Sequence, residues 1–374
     1  MNAEVVIAGG GLAGSAAAID LARAGRDVLL VERDARAQHK VCGEFLSREA
    51  LRYLGRLGIH LPELGAMVIT SVRLANGAKV SEAKLPFPAM SLTRRRLDEE
   101  LLQRAAACGA RVMRGYRVES IERVGDGWCV ALDHAAPDDA ARLTAGAVFL
   151  ATGKHDVRGW ARPPGKQSNL VAFKMYWRLA AAQAAALEGH IELMLFRGGY
   201  AGLQRVEDGA ANMGLVVERA ELQRLGGRWE NLLAVMQQEC GLLRERLRGA
   251  EALLERPLAV AAIPYGYVRA ASAGLWALGD QAAVIPSFTG DGMSIALHSG
   301  CLAAEMYLRG ETAERFQEQL RGELSRQVAL ATIVSRGLVG RPSRTVFTAA
   351  VRLWPGLLDV VARRTRISEM AMLG

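Results

Sequence analysis

The feature that most constrains the fold is a glycine-rich turn near the start of the chain, in EVVIAGGGLAGSAAAIDLARAGRDVLLVERD. Its glycines have the spacing GxGxxG. An apolar run before the turn predicts a strand over residues 5–8, and the small residues after it predict a helix over residues 15–24. A second apolar run predicts a strand over residues 28–31. This order of elements predicts a βαβ unit with a parallel sheet.

A turn of this kind binds the pyrophosphate of a dinucleotide. Gly9 permits the sharp turn, Gly11 lets a phosphate approach the backbone, and Gly14 lets the helix pack closely on the strand. The helix N-terminus adds unpaired N–H groups and the positive end of its dipole. Glu32 follows the second strand, where a carboxylate accepts hydrogen bonds from ribose hydroxyls. We therefore expect dinucleotide binding, with a helix-capping turn as the alternative.

A second glycine-rich segment, GDQAAVIPSFTGDGMSIALHSG, lies towards the other end of the chain. It follows an apolar strand predicted over residues 275–278, and a long helix is predicted to begin near Gly292. Asp280 at the strand end can bind a ribitol or ribose hydroxyl. The helix N-terminus favours a phosphate or an anionic isoalloxazine. A buried helix with a glycine cap is the alternative interpretation.

This second segment resembles the second flavin-binding motif of the flavoprotein monooxygenase superfamily, especially the branch that contains geranylgeranyl reductases. Three further stretches share the resemblance: HKVCGEFLS, LTRRRLDEELLQRAAACGARV and VFLATGKHDVRGW. In the third, the usual Gly-Ala-Asp-Gly is replaced, so the role of Asp156 stays open between a family function and an ordinary loop acid. For Arg94, the alternative to a cofactor contact is a solvated charge in a run of arginines.

The resemblance implies an extended FAD with its diphosphate against the first turn and its ribityl chain against Asp280. No second GxGxxG occurs, so NADPH or NADH is expected only as a transient reductant. The residues expected to bind FAD are Gly9, Gly11, Leu12, Ala13, Gly14, Glu32, Arg33, Cys42, Gly43, Arg94, Asp280, Pro286, Gly290, Gly292 and Met293. Cys42 and Tyr200 are the expected catalytic residues, against the alternatives of a small buried thiol and ordinary sheet packing.

The implied fold is α/β with an α+β substrate layer: a Rossmann-like FAD-binding domain, an inserted antiparallel substrate-binding sheet and C-terminal helices. The FAD-binding domain is predicted over residues 1–163 and 263–330, and the sheet with its helices over residues 164–262. Residues 331–374 are predicted to form a basic C-terminal helical region. Aromatic residues in the sheet favour a flat or long apolar substrate. They are Phe173, Tyr176, Trp177, Phe196, Tyr200, Tyr265 and Tyr267.

Two reactions fit these features. The leading hypothesis is a monooxygenase that hydroxylates an apolar aromatic or polyketide- or lipid-like substrate through a flavin C4a-hydroperoxide. The alternative is hydride transfer to a C=C bond of an isoprenoid or quinone, assisted by Cys42. The segment YAGLQR departs from the Y-x-W-x-F-P pattern of geranylgeranyl reductases and argues against geranylgeranyl reduction in particular. A halogenase, for which Lys174 is the candidate lysine, and a redox partner without turnover have less support.

Charge, cysteine content and hydropathy indicate which partners and which cellular location to expect. Five cysteines without a CxxC pair predict reduced thiols, no metal site and a cytoplasmic location. The net charge of +8 is not accompanied by a zinc-finger, zipper or aromatic-basic pattern, so nucleic acid is not an expected partner. No run of about 18 apolar residues predicts a membrane span, and the N-terminus lacks the features of a signal peptide.

The basic residues concentrate in the last part of the chain, where apolar residues also follow a helical stripe interrupted by Pro355. The stripe consists of Val346, Ala349, Ala350, Leu353, Leu357, Val360 and Val361. We expect this region to pack over the substrate cleft. Peripheral contact with an acidic membrane surface is the alternative, which would suit a lipid substrate.

Overall fold

The structure is a computed structural model that describes residues 2–134, 142–340, 346, 349–350 and 356–373. Its strands are β1 (Asn2–Ala8), β2 (Val28–Glu32), β3 (Phe45–Leu46), β4 (Met67–Asn76), β5 (Lys79–Ser91), β6 (Arg111–Arg114), β7 (Tyr116–Val124), β8 (Gly127–His134), β9 (Arg142–Leu150), β10 (Leu170–Arg178), β11 (Gly189–Phe196), β12 (Gly199–Arg205), β13 (Ala211–Glu218), β14 (Glu251–Ala252), β15 (Leu258–Ala261), β16 (Tyr267–Val268), β17 (Trp276–Ala277) and β18 (Ala283–Val284). Its helices are α1 (Leu12–Arg23), α2 (Arg48–Leu57), α3 (Arg94–Ala107), α4 (Ala181–Leu187), α5 (Arg219–Arg224), α6 (Trp229–Glu239), α7 (Gly241–Arg246), α8 (Gly292–Leu308), α9 (Ala313–Val339) and α10 (Gly356–Arg364). This is the mixed α/β architecture that the sequence predicts.

The first sheet contains the predicted βαβ unit. Its strands lie in the order β6-β2-β1-β9, all parallel, and β17 lies parallel to β9. β8 and β7 extend the sheet antiparallel to β9. The central strands are buried on both faces, which explains why β2 reads as an uninterrupted apolar run up to Glu32. Because parallel strands present their carboxyl ends at one edge, the turns after β1 and β17 open on the same side of the sheet.

Helices α1 and α8 cover one face of this sheet and approach each other closely. A Cβ added at Gly300 on α8 would lie 2.3 Å from the backbone oxygen of Ala13 on α1. A Cβ at Gly14 would lie 1.9 Å from the backbone oxygen of Gly9. These two glycines therefore bring both helices and the first turn into one tight unit.

Replacing Gly300 with alanine is expected to lower the free energy of unfolding by about 1–3 kcal/mol, because the added methyl group forces α1 and α8 apart. Gly322 on α9 is the matched control, because a Cβ there meets no atom within 4 Å. Gly322→Ala should raise the free energy of unfolding by roughly 0.5–1 kcal/mol. Urea denaturation of both variants measures the difference. Equal effects at the two glycines would contradict this packing.

The second sheet has the order β14-β10-β13-β12-β11-β4-β5-β3, and β15 also pairs with β10. Its pairs are antiparallel except β4 with β11. Strands β3 to β5 thus come from the interval 1–163, which the sequence assigns to the first part of the FAD-binding domain. The helical stretch after β13 is divided into α5, α6 and α7. Gly226 and Gly227, both with positive φ, separate α5 from α6, and the extended backbone of Cys240 separates α6 from α7.

The C-terminal region is described in part. Leu353 of the predicted stripe and Pro355, which interrupts it, lie outside the described residues, as do residues 341–345 and 347–348. In the described part, α10 packs beside β5, and Thr365 and Ile367 are buried. The last residues reach α2, where the Leu373 N–H donates to the Tyr53 hydroxyl at 3.1 Å. Among the described residues, no helix combines the length and apolarity that a membrane span requires.

Candidate functional site

A cavity lies between the carboxyl edge of the first sheet and the inner face of the second sheet. It brings together the two glycine-rich segments, which are far apart in the sequence. Of the predicted site residues, the following line it: Gly11, Leu12, Ala13, Cys42, Gly43, Arg94, Tyr200, Asp280, Gly290, Gly292 and Met293. The others are not among its lining residues: Gly9, Gly14, Glu32, Arg33 and Pro286.

In the first glycine-rich turn, Gly9 and Gly14 leave no room for a side chain, whereas Gly11 does. Gly9 has φ +108°, and its Cβ would lie 2.5 Å from the Ala151 oxygen. At Gly11 the nearest atom to an added Cβ is an Arg94 nitrogen at 3.5 Å. Gly11 also precedes α1 without a side-chain hydrogen bond to the first helical turn. Free N–H groups and a helix dipole therefore face open space, as a bound pyrophosphate requires.

The second helix N-terminus faces the same cavity. A Cβ at Gly292 would meet no atom within 4 Å, and no side-chain oxygen caps the first turn of α8. Gly290 has φ +67° and is packed against the Phe45 ring, so the turn before α8 is fixed. Pro286 lies behind the turn, where its carbonyl accepts the Thr289 hydroxyl at 3.0 Å. Two open helix N-termini in one cavity fit an extended dinucleotide such as FAD.

Glu32 and Arg33 flank the first turn without lining the cavity. The Glu32 carboxylate accepts the backbone N–H of Gly10 at 2.7 Å and that of Asp34 at 3.0 Å. Glu32 is buried, whereas Arg33 is exposed and pairs with Asp34 at 3.3 Å. The carboxylate predicted to bind ribose therefore lies directly beside the glycine-rich turn.

Arg94 is the first residue of α3, and its guanidinium is fixed in the cavity wall. It donates to both oxygens of Asp98, at 2.8 and 3.0 Å, and Lys40 approaches the same carboxylate at 2.9 Å. Burial disfavours both ions, yet Arg94 and Lys40 hold the pKa of Asp98 below its usual value. Arg94 is therefore a paired cation over Gly11 whose side chain is only 13% exposed, so it is not a solvated charge.

The loop that carries Cys42 is held by the second sheet. The Gln204 side chain donates to the carbonyl of Gly43 at 3.0 Å, and the Asn212 side chain donates to the same carbonyl at 2.8 Å. The Cys42 thiol is half-buried and accepts the Glu44 N–H at 3.3 Å. This geometry places the thiol in the wall of the cavity, next to Arg94.

The sequence pattern did not predict a buried ionic cluster that lies beside this loop. Glu44 is fully buried with φ +60°, and its carboxylate lies 2.5 Å from Lys174 Nζ. The Tyr176 hydroxyl donates to both carboxylate oxygens, at 2.7 and 2.9 Å, and the Arg94 N–H donates at 2.6 Å. Burial raises the pKa of Glu44 and lowers that of Lys174. The available signal was a lysine two residues from a tyrosine in an otherwise apolar strand, since both then share one face.

Tyr200 connects the second sheet to the segment before α8. Its hydroxyl lies 3.1 Å from the Ser287 hydroxyl and accepts the Phe288 N–H at 3.2 Å. The side chain is buried, and burial raises its pKa. Tyr200 therefore reaches the cavity with its hydroxyl held towards the flavin-motif turn.

The middle motif and the segment after β17 are joined by side chains. Lys154 Nζ lies 3.6 Å from the Asp280 carboxylate, and the Gln281 side chain donates to the Gly153 carbonyl at 2.9 Å. Asp156 pairs with Arg162 at 2.7 Å. Arg162 also donates to the Asp280 carbonyl at 2.8 Å, so Asp156 is connected to Asp280 through Arg162.

A contact from the C-terminal region was also absent from the sequence prediction. Arg366 lines the cavity, pairs with Asp291 at 3.1 Å and donates to the Thr289 carbonyl at 2.8 Å. Its guanidinium lies 4.6 Å from the Phe87 ring centre. Burial raises the pKa of Asp291 to about 7, against the opposing effect of Arg366. Arg366 therefore makes the described part of the C-terminal region a part of the cavity wall.

The fold agrees with the proteins that this chain resembles. Residues 2–158 match the FAD binding domain family. A menaquinone reductase of Mycolicibacterium smegmatis is 28% identical, over 99% of this chain and 97% of that protein. A digeranylgeranylglycerophospholipid reductase 2 of Methanosphaera stadtmanae is 27% identical, over 81% of this chain and 77% of that protein. A solved flavin-dependent brominase has a TM-score of 0.79 at 16% identity, over 98% of this chain and 93% of that one, a likeness in fold.

Proposed function

We propose that this chain, an FAD-dependent oxidoreductase of the flavoprotein monooxygenase superfamily, reduces a C=C bond in the isoprenoid tail of a quinone or a related lipid. The sequence alone favours hydroxylation of an apolar substrate, with this reduction as the alternative. We now prefer reduction to hydroxylation because two relatives aligned over most of this chain are named as reductases, one of menaquinone and one of digeranylgeranylglycerophospholipid. Both expectations share the cofactor and the cavity and differ in the reaction.

The observation that carries the proposal is the position of the Cys42 thiol in the cavity wall beside Arg94. Reduction of a C=C bond requires a hydride on one carbon and a proton on the other. FAD supplies the hydride once NADPH, NADH or another two-electron donor has reduced it. In the proposal, Cys42 Sγ donates the proton, and the Arg94 guanidinium stabilises the thiolate that remains.

The shape and chemistry of the cavity support a long apolar substrate. Part of its wall comes from β4, β5 and β11 of the second sheet, and the C-terminal region adds Ala362 and Thr365. The apolar side chains in this part are Val72, Leu74, Leu85, Phe87, Ile191, Leu193 and Leu195. Such a wall excludes water and binds an isoprenoid chain through burial of its methyl and methylene groups.

Halogenation receives less support from the same geometry. The lysine that the sequence suggested for it, Lys174, has its ammonium group 2.5 Å from the Glu44 carboxylate and is fully buried. That group is occupied within the protein and is not presented to a substrate. Reduction and hydroxylation therefore remain the two reactions to distinguish.

The deciding experiment incubates the FAD-loaded protein and dithionite, without oxygen, with a menaquinone that carries a geranylgeranyl tail. Air oxidation afterwards returns the ring to the quinone, so mass spectrometry then reports only changes in the tail. We expect a product with two added hydrogens. Cys42→Ala should slow its formation by about 100-fold, the usual contribution of a positioned proton donor.

Cys108→Ala is the matched control, because Cys108 is a half-buried cysteine at the end of α3, outside the cavity lining. It should form the saturated product at the wild-type rate. A product that gains an oxygen atom, formed only when oxygen and NADPH or NADH are supplied, would establish the hydroxylase instead. Equal rates for Cys42→Ala and Cys108→Ala would remove Cys42 from the reaction.

A further inference from the structure

One side of helix α10 faces the cavity and the other side faces solvent. Ala362 on α10 lines the cavity, as do Thr365 and Arg366 directly after the helix. Val360 and Arg364 on the same helix are exposed. This short segment of the C-terminal region is therefore a single layer between the cavity and the surface, and its side chains decide where the cavity stops.

The segment that follows α10 is fixed to the rest of the cavity wall through Arg366. Its guanidinium pairs with Asp291 at 3.1 Å and donates to the Thr289 carbonyl at 2.8 Å. It also lies 4.6 Å from the centre of the Phe87 ring and 5.8 Å from the centre of the Phe45 ring. Moving this segment outward would leave the fully buried Asp291 carboxylate without its cation, which is costly. The wall beside α10 therefore yields little to a ligand that presses against it.

Strand β5 supplies apolar side chains next to this segment. α10 packs beside β5, from which Leu85 and Phe87 line the cavity, and Val72 of β4 belongs to the same lining. These side chains are bulky, whereas Ala362 has a single methyl group, so the room beside α10 depends on the small size of residue 362. An isoprenoid chain binds through burial of its methyl and methylene groups, and such burial requires this room.

We propose that Ala362 limits the length of the isoprenoid tail that the cavity accepts, and that Arg366 holds Ala362 in the position that sets this limit. The inference rests on the proposed function for the class of substrate and not for the reaction, because a tail must fit the cavity whichever bond then reacts. Each further isoprene unit adds affinity while it finds apolar wall to contact. The affinity stops rising once the tail reaches α10. A larger side chain at position 362 moves this limit to shorter tails.

The test compares two menaquinones, one with a geranylgeranyl tail and one with a geranyl tail of half that length. Quenching of tryptophan fluorescence measures the Kd of each for the oxidised, FAD-loaded protein, with no reductant present. The wild-type protein should bind the longer tail more tightly. Ala362→Phe should raise the Kd for the longer tail by about 10- to 200-fold, the range for a hydrophobic pocket that no longer fits part of its ligand. The Kd for the shorter tail should stay at the wild-type value.

Val360→Phe is the matched control, because it places the same ring on the exposed side of the same helix. It should leave both Kd values unchanged. Ala362→Leu is a smaller enlargement and should raise the Kd for the longer tail by less than Ala362→Phe does. This second variant tests the inference even if Ala362→Phe does not fold.

Two results would overturn the inference: equal changes of Kd for the two tails, or unchanged Kd values in both Ala362 variants. If the wild-type protein binds neither menaquinone, the proposed function fails and the inference fails with it. If the wild-type protein binds them but forms no saturated product, only the proposed reduction fails, and the Kd values still decide the inference.

Discussion

Gly11→Glu is expected to abolish FAD binding and to leave the fold intact. An added side chain at Gly11 projects into the space before α1, where only Arg94 comes within 4 Å. A glutamate there fills the phosphate position and presents a negative charge to the pyrophosphate. The purified variant should lack the yellow colour and visible flavin absorption of the wild-type protein. Its circular dichroism spectrum should be unchanged, because the site is open and requires no backbone movement.

Gly322→Glu is the matched control for this substitution. Gly322 is exposed on α9, and an added Cβ there meets no atom within 4 Å. That variant should bind FAD as the wild-type protein does, which separates the effect of position from the effect of an added carboxylate. A yellow Gly11→Glu protein with normal FAD content would place the pyrophosphate elsewhere and contradict our account of the first turn.

Lys174→Met is expected to lower the free energy of unfolding by about 3–5 kcal/mol, because it leaves the Glu44 carboxylate buried without its partner. Burial already raises the pKa of Glu44 from its ordinary value of 4.5, and loss of Lys174 raises it further. When a carboxyl has a higher pKa in the folded state than in the unfolded state, the free energy of unfolding falls as the pH rises from the unfolded-state pKa towards the folded-state pKa. The loss in free energy of unfolding caused by Lys174→Met should therefore be small below pH 4.5 and grow towards neutral pH.

The control is the double variant Lys174→Met with Glu44→Gln, in which no charge remains in the cluster. It should recover most of the lost stability at neutral pH, since a neutral amide costs far less to bury than a carboxylate. Urea denaturation at several pH values measures both variants against the wild-type protein. A single variant as unstable at low pH as at neutral pH would show that the loss arises from packing and not from the unpaired charge.

The sequence was most informative where local rules decide structure. The turn with Gly9, Gly11 and Gly14, the apolar strands around it and the start of α8 at Gly292 all lie where the pattern predicted. Each depends on neighbouring residues: glycine permits a backbone that other residues avoid, and periodicity determines helix or strand. The cavity-lining position of Arg94 and Asp280 also agrees with the family resemblance.

Tertiary structure alone decided which distant residues meet. Glu44 and Lys174, and likewise Asp291 and Arg366, form buried pairs whose partners belong to different elements. Strands β4 and β5 precede the predicted insert in sequence, yet they pair within the second sheet. No local pattern encodes such contacts, because they arise when separate elements bury their apolar faces together and the remaining buried charges must find partners. The sequence by itself thus determined the glycine-rich turns and the fold class. The tertiary structure, by packing the Cys42 loop against the second sheet, determined the charged pair of Glu44 and Lys174 beside that loop.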